Sequence, residues 1–182
     1  MSQRISLVGW PSMTEPLAVA FANTRSSAGR DRIATVDRLR AWARPWPALA
    51  ACVPRMPAGE LPDVLALRDA TQTVLHRIAA GESPPAAELE FATWPGLARA
   101  EFRVRPAAGG VAVDDAGPEA VRQLLSRAVV DFLLGQQLTD LRRCEGGGCH
   151  KVFVSARADR RWCDSRVCGN RARVAAHARR SR

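Results

Sequence analysis

Residues 144–182 read CEGGGCHKVFVSARADRRWCDSRVCGNRARVAAHARRSR. This stretch holds four of the chain's five cysteines, as two C-x-x-x-x-C pairs: Cys144 with Cys149, and Cys163 with Cys168. Two close pairs joined by a short loop are typical of a zinc site, because a tetrahedral zinc ion binds four thiolates. Few residues of this segment are apolar, and so small a module rarely folds on its core alone. We therefore predict one structural zinc ion.

Other interpretations of the four cysteines stay open at this point. Two disulfide bonds would need an oxidising compartment, and no signal peptide is visible. Four thiolates can also hold an iron–sulfur cluster, and a zinc site that releases its metal on oxidation is compatible with the same residues. His150 and His177 are alternative ligands, but four cysteines already complete a tetrahedral shell. Each histidine is better explained as a surface or phosphate-contacting group.

The residues between the cysteines predict the local structure of this finger. Three consecutive glycines, residues 146–148, let the backbone wrap around an ion between the first two cysteines. Residues 151–155 and 160–163 are predicted to form two short paired strands around a turn. Asp164 or Ser165 then caps a helix that carries Cys168 in its first turn and continues through the basic tail. A glycine-rich knuckle, a hairpin and a cysteine-bearing helix resemble a treble-clef zinc finger.

The sequences RWC at residues 161–163 and CGNR at residues 168–171, followed by a basic helix, resemble the CGNR zinc finger of bacterial proteins. The resemblance implies that Cys144, Cys149, Cys163 and Cys168 are the zinc ligands. It also implies that the finger binds DNA. Within the motif, Gly169 permits a close approach near the metal, and Asn170 and Arg171 can tie the start of the helix to the knuckle.

The net charge of the chain is concentrated in the finger. Residues 1–141 contain fifteen arginines and fifteen acidic residues, whereas residues 142–182 contain twelve basic and three acidic residues, which gives the whole net charge of +9. Such a module is typical of a phosphate-binding surface. The candidate nucleic-acid contacts are Arg166, Arg171, Arg173, His177, Arg179 and Arg180. The alternative to nucleic-acid binding is a basic tail that aids solubility or binds an acidic protein. For Arg171 the alternative is the structural role of tying the helix to the knuckle.

The upstream part, residues 1–141, is predicted to be a mainly helical domain. Apolar residues at helical spacing predict helices over residues 14–23, 35–44, 62–80, 84–94 and 118–142, the first starting at Thr14. Residues 46–59, rich in proline and alanine, are predicted to be irregular. Alternation over residues 97–105 and a short apolar run at 111–113 predict one β-hairpin. The fold class is therefore mainly α with one hairpin, followed by the finger of residues 142–182.

The last of these helices is predicted to end almost directly at Cys144. With so short a joint, we expect the finger to be coupled to the upstream domain. Gly135 would lie inside this helix and is a candidate flex point, because glycine costs a helix about 1 kcal/mol relative to alanine.

The upstream domain also resembles the ABATE domain, which precedes CGNR fingers in stress-induced transcription regulators. The segments that carry this resemblance are LAVAFANT at residues 17–24 and LRDA at residues 67–70, together with the order helix, hairpin, long helix and finger. The chain departs from the family at Ala20, where an acidic residue is usual. The resemblance directs attention to Asn23, Thr24 and Arg68 as a polar ligand pocket. A helix cap for Asn23 and an ion pair for Arg68 are the structural alternatives.

These features predict a transcription regulator and not an enzyme. No phosphate loop, H-E-x-x-H motif or nucleophile elbow is present, and four cysteines close the metal site to substrate. No apolar run approaches the length of about 18 residues needed to cross a membrane, so we expect a cytoplasmic bacterial protein. DNA is the expected partner, and a homodimer would be natural although no heptad seam is evident. The alternative function is a zinc-stapled protein-interaction or RNA-binding module.

Overall fold

The computed structural model describes residues 15–25, 30–57, 59–97, 102–107, 110–115 and 120–180. These residues form a mostly helical structure with two small antiparallel sheets of two strands each. The predicted architecture, mainly α with one hairpin ahead of a cysteine-rich finger, is confirmed. The predicted helix start at Thr14, the predicted strand residues 98–101 and the predicted first helical residues 118–119 lie outside the described part of the chain.

Four helices form the first half of the upstream domain, namely α1 (Leu17–Ala22), α2 (Val36–Ala43), α3 (Pro47–Cys52) and α4 (Leu61–Ala79). The hydroxyl of Thr35 accepts a hydrogen bond from the Arg38 N–H and so caps the start of α2. The prediction that residues 46–59 are irregular is wrong, because α3 and a 3-10 turn (Val53–Arg55) occupy most of this stretch. Proline at the first helical position starts a helix, since the missing N–H would have no partner there.

Helix α1 lies at the centre of the domain, and all six of its residues are buried. Its Phe21 side chain contacts one apolar cluster, in which its ring lies 6.0 Å from that of Trp42, which in turn lies 4.6 Å from Trp46. Ala18, Val19 and Ala22 face a second cluster, formed mainly with α4 and with residues nearer the C-terminus. This central position allows α1 to contact both the helical core and the finger.

The predicted hairpin is present, with β1 (Phe102–Ala107) antiparallel to β2 (Gly110–Asp115). Phe102 lies opposite Asp115, and Ala107 lies opposite Gly110. The helix before it, α5 (Ala86–Leu97), runs through Pro95 and does not end at residue 94 as predicted. A proline in the last turn of a helix removes only one backbone hydrogen bond, so it need not stop the helix.

The prediction of one continuous helix over residues 118–142 is wrong. Helix α6 (Ala120–Leu133) ends early, a 3-10 turn (Gln136–Asp140) follows, and the chain then enters strand β3 (Leu141–Arg143). Gly135 is extended, with φ −83° and ψ 158°, so it lies beyond the end of α6 and is not a flex point inside it. A Cβ atom there would lie 3.0 Å from the Asp131 carbonyl oxygen.

Strand β3 pairs antiparallel with β4 (Val152–Val154), so that Leu141 lies opposite Val154 and Arg143 opposite Val152. The predicted pairing between residues 151–155 and 160–163 is therefore wrong. Residues 160–163 form no strand, although the Arg161 carbonyl accepts a hydrogen bond from the Glu145 N–H at 2.9 Å. The observed pairing lets Leu141 and Val152 bury their side chains together against the α1 and α4 core.

Candidate metal centre and basic helix

Four thiols meet in the finger and form a candidate metal centre. The sulfur atoms of Cys144, Cys149, Cys163 and Cys168 all lie within 4.8 Å of one another. The Cys163 sulfur lies 3.9 Å from that of Cys149 and 3.7 Å from that of Cys168. A tetrahedral zinc ion with Zn–S bonds of about 2.3 Å implies sulfur–sulfur separations of about 3.8 Å. The thiols are free, and their spacing suits one metal ion.

The knuckle around the first cysteine pair depends on its glycines. A Cβ atom on Gly146 would lie 2.9 Å from the Cys168 Cβ and 3.3 Å from its sulfur, so only glycine fits beside the metal centre. Gly148 has φ +68°, a conformation that residues with side chains rarely adopt. The turn is closed by the Cys149 N–H, which donates to the Gly146 carbonyl at 2.9 Å.

The second cysteine pair is held by the start of the C-terminal helical segment. The Asp164 carboxylate accepts hydrogen bonds from the N–H groups of Arg166 and Val167, at 2.7 and 3.1 Å, as an N-cap. A π-helical turn (Ser165–Gly169) then carries Cys168 into the centre, and α7 (Asn170–Arg180) continues from it. Gly169 permits a close approach of Trp162, since a Cβ atom there would lie 3.2 Å from the indole ring.

The surroundings of Cys144, Cys163 and Cys168 shift the pKa values of these thiols. Burial acts to raise the pKa of Cys144, but N–H groups of Cys163, at 3.4 Å from the sulfur, and of Gly146 outweigh it, so this pKa lies below its ordinary value. Burial raises the pKa of Cys168 to about 11 and also raises that of Cys163. A divalent ion would offset the mutual repulsion of clustered thiolates, and coordination deprotonates a thiol outright. The four cysteines therefore fit one structural zinc ion.

The basic helix α7 is attached to this centre and is otherwise open to solvent. None of its residues is buried. Two predicted DNA-contacting arginines bind the finger itself: Arg171 donates to the Gly147 carbonyl at 3.2 Å, and Arg173 donates to the Ser165 carbonyl at 3.4 Å. Arg171 thus ties the helix to the knuckle as expected, whereas the exposed Asn170 makes no such bond among the described residues.

The other four candidate DNA contacts are all exposed. The guanidinium groups of Arg166, Arg179 and Arg180 have no hydrogen-bond or ion-pair partner in the described part of the chain. His177 is exposed in the last turns of α7. Contact of these side chains with a nucleic acid stays a prediction.

In the described part of the chain, two side chains of the upstream helices, Asn23 and His76, hydrogen-bond to the finger, and neither contact is predicted from the sequence. The Asn23 amide, just after α1, donates to the Val152 carbonyl at 2.8 Å and accepts from the Val152 N–H at 3.1 Å. On α4, the His76 Nε2 donates to the His150 carbonyl at 2.6 Å, beside the second zinc ligand. Burial lowers the pKa of His76, although the hydrogen bond to His150 opposes this effect. The expected coupling of finger and domain therefore rests on α1 and α4.

The three residues predicted to form a ligand pocket each contact different partners within the protein. Asn23 binds Val152 and also donates to a Glu15 carboxylate oxygen at 3.0 Å. The Thr24 hydroxyl donates to the Phe21 carbonyl at 2.7 Å. Arg68 is buried and ion-paired with Asp31 at 2.5 Å and with Asp69 at 2.9 Å. Arg68 therefore forms the ion pair of its structural alternative, whereas Asn23 lies at the C-cap position of α1 but uses its side chain to bind other segments. Binding of a ligand at these residues stays a prediction.

Family comparisons agree with this division of the chain. The CGNR zinc finger family matches residues 141–181. The ABATE family, described as "Putative stress-induced transcription regulator", matches residues 15–136. The chain therefore belongs to the ABATE family, with a CGNR zinc finger after the ABATE domain, and both resemblances drawn from the sequence are confirmed. No curated protein matches the chain.

Both families are of regulator or zinc-finger type rather than enzymes. The domain limits 1–141 and 142–182 stay a prediction. Strand β3 crosses that boundary, and its Leu141 side chain packs in the same core as α1 and α4. Among the described helices, none has both the length and the apolar content needed to cross a membrane.

Proposed function

We propose that the chain is a zinc-dependent transcription regulator that binds duplex DNA through α7 and the turn before it. The observation that carries the proposal is the exposure of α7 beside the metal centre. None of its residues is buried, its sequence NRARVAAHARR has no acidic residue, and it begins two residues after the ligand Cys168. A zinc centre can hold such a helix rigid without any large core of its own.

The charge distribution supports DNA as the partner. The upstream 141 residues are electrically balanced, and the finger carries the net charge of +9. The guanidinium groups of Arg166, Arg179 and Arg180 have no partner among the described residues, so they are available to phosphates. With eleven residues, α7 is about 16 Å long, and an α-helix fits the DNA major groove, which is about 12 Å wide.

In this proposal the upstream domain senses a ligand or a protein partner and changes the orientation of the finger. The hydrogen bonds from Asn23 to Val152 and from His76 to His150 offer the physical connection. A ligand near Thr24 and Arg68 regulates DNA affinity only if it binds two arrangements of the domain unequally. The proposed setting is the bacterial cytoplasm, and the proposed regulator acts as a homodimer.

The test is fluorescence anisotropy of the zinc-loaded protein with duplexes from its own upstream region and with scrambled duplexes, over a salt series. We expect affinity at least about tenfold higher for one native duplex than for its scramble, and a salt slope of several units. Replacing Arg166 and Arg180 with glutamine should reduce the slope by roughly two units, since each phosphate contact contributes about 0.9.

Arg157→Gln is the matched control, because Arg157 lies in the same basic segment but is paired with Asp159 at 3.0 Å. This control should change the slope little. No duplex binding even at low salt would contradict the proposal.

The second candidate function is a zinc-stapled module that binds RNA or an acidic protein. Two exposed valines, Val167 and Val174, favour it, because apolar side chains on a basic helix also suit a protein groove. Equal affinity for duplex DNA, single strands and other polyanions would support this alternative over a sequence-specific regulator.

A further inference from the structure

Two exposed side chains at the start of α7 have no part in the metal centre or in the charge argument. Asn170, the first residue of α7, is exposed, and its amide has no hydrogen-bond partner among the described residues. Val174 is one turn further along and is 60% exposed. The positions are i and i+4, so both side chains lie on the same face of the helix.

This face is bordered by arginines on both sides. At 100° per residue, Asn170, Val174 and His177 follow one line along α7. Arg173 and Arg180 flank that line on one side, and Arg171 flanks it on the other. When a helix lies in the major groove, side chains at the centre of its inner face contact base edges, while flanking basic groups contact phosphates. With α7 in the major groove, the line of Asn170, Val174 and His177 faces the bases, and the arginines beside it face the phosphates.

The contacts within the finger narrow the choice of base-reading residue further. Arg171 and Arg173 each donate to a carbonyl of the finger, so part of their donor capacity is used before any DNA is bound. Asn170 is exposed, and both its amide donor and its acceptor are unused among the described residues. A side-chain amide is the group that pairs bidentately with adenine at N6 and N7, and an apolar side chain is the group that contacts the thymine methyl.

Building on the proposed DNA-binding function, we infer that Asn170 reads an adenine and Val174 reads a thymine methyl group in the major groove. One helical turn rises about 5.4 Å, and successive base pairs are about 3.4 Å apart. The two contacts therefore fall on base pairs one or two steps apart. The preferred site of this protein contains two A·T pairs at that spacing, with the flanking phosphates bound by arginines.

The experiment selects duplexes from a random library with the full-length, zinc-loaded protein and then measures affinities for the selected duplex by anisotropy. Replacing each thymine in turn by uracil removes only the methyl group, and replacing each adenine by 7-deazaadenine removes only N7. We expect one uracil position and one 7-deazaadenine position, one or two steps apart, to weaken binding about fivefold to tenfold. Val174→Ala should abolish the uracil effect, and Asn170→Ala should abolish the 7-deazaadenine effect.

Both substituted residues are exposed, so the variants should keep one zinc ion per chain. If the protein binds duplexes but selects no A·T pairs, or if the variants leave both atomic effects unchanged, the inference is wrong while non-specific DNA binding stands. If no duplex is bound at all, both the inference and the proposed function are wrong.

Discussion

Replacing Asn23 with alanine removes the side chain that joins the end of α1 to strand β4. The Asn23 amide makes hydrogen bonds of 2.8 and 3.1 Å with the carbonyl and the N–H of Val152. In the register of β3 and β4, Arg142 lies opposite Phe153, so the peptide groups of Val152 point away from β3. Val152 is fully buried, and its side chain belongs to the core that the finger shares with α1 and α4.

The expected loss of stability follows from the two peptide groups that lose their partner. A buried donor or acceptor without a hydrogen bond costs about 1–3 kcal/mol, so the two groups together cost about 2–6 kcal/mol. Relaxation and entry of water into the space left by the amide reduce this cost, and we expect the free energy of unfolding to fall by about 2–4 kcal/mol. With a urea m-value of about 2 kcal/mol/M, the midpoint should fall by about 1–2 M.

The assay is urea unfolding at saturating zinc, followed by tryptophan fluorescence and circular dichroism. Asn170→Ala is the matched control, because it makes the same substitution at an exposed side chain that has no hydrogen-bond partner in the described part of the chain. The control should change the midpoint by less than about 0.3 M. If Asn23→Ala behaves like the control, the argument that this amide couples the finger to the domain is refuted.

Three further predictions concern the knuckle, the buried ion pair and the metal. Gly146→Ala should reduce zinc affinity at least about tenfold in a chelator competition, because its Cβ would lie 2.9 Å from that of Cys168, whereas Gly147→Ala, with nothing within 4 Å, should bind zinc like the wild type. Arg68→Met should lower the free energy of unfolding by about 2–3 kcal/mol in urea, since it removes charged hydrogen bonds to Asp31 and a neighbouring carboxylate. Stripping the metal with a strong chelator should lower the thermal midpoint of the whole chain, because the finger shares a core with the upstream domain; an unchanged midpoint would contradict that coupling.

The fold was predictable where its signals are local. Helical spacing and the cysteine pairs identify most of the helices and the finger. Residues 46–59 were predicted to be irregular because they are rich in proline and alanine, but Pro47 begins helix α3. The end of α6 was missed because the residues after Gly135 keep an apolar pattern that suits a helix as well as a 3-10 turn. That pattern carries no information on which strand Leu141 will join. Tertiary packing against α1 and α4 decides the pairing of β3 with β4.

The candidate site divides in the same way. The zinc ligands follow from spacing, and the capping role of Asp164 follows from its position before a helix. The link between Asn23 and Val152 spans 129 residues in sequence, so no local pattern indicates it. The sequence does not show which of the three glycines at residues 146–148 is closest to another cysteine. The structure shows that it is Gly146, because Cys168 approaches it across the metal centre. Interactions between residues that are close in sequence can be predicted from the chain, whereas contacts between distant segments can be identified only in the folded structure.

One titration tests whether the bound metal ion is required for DNA binding. Protein stripped of metal is titrated with Zn²⁺ in the presence of a labelled duplex selected from a random library, and anisotropy is followed at moderate salt. We expect duplex binding to appear with zinc and to saturate at one equivalent per chain, because four thiolates hold one ion and that ion holds α7. Duplex affinity that is the same with and without zinc, or absent at every zinc concentration, would contradict the claim that a zinc-held basic helix binds DNA.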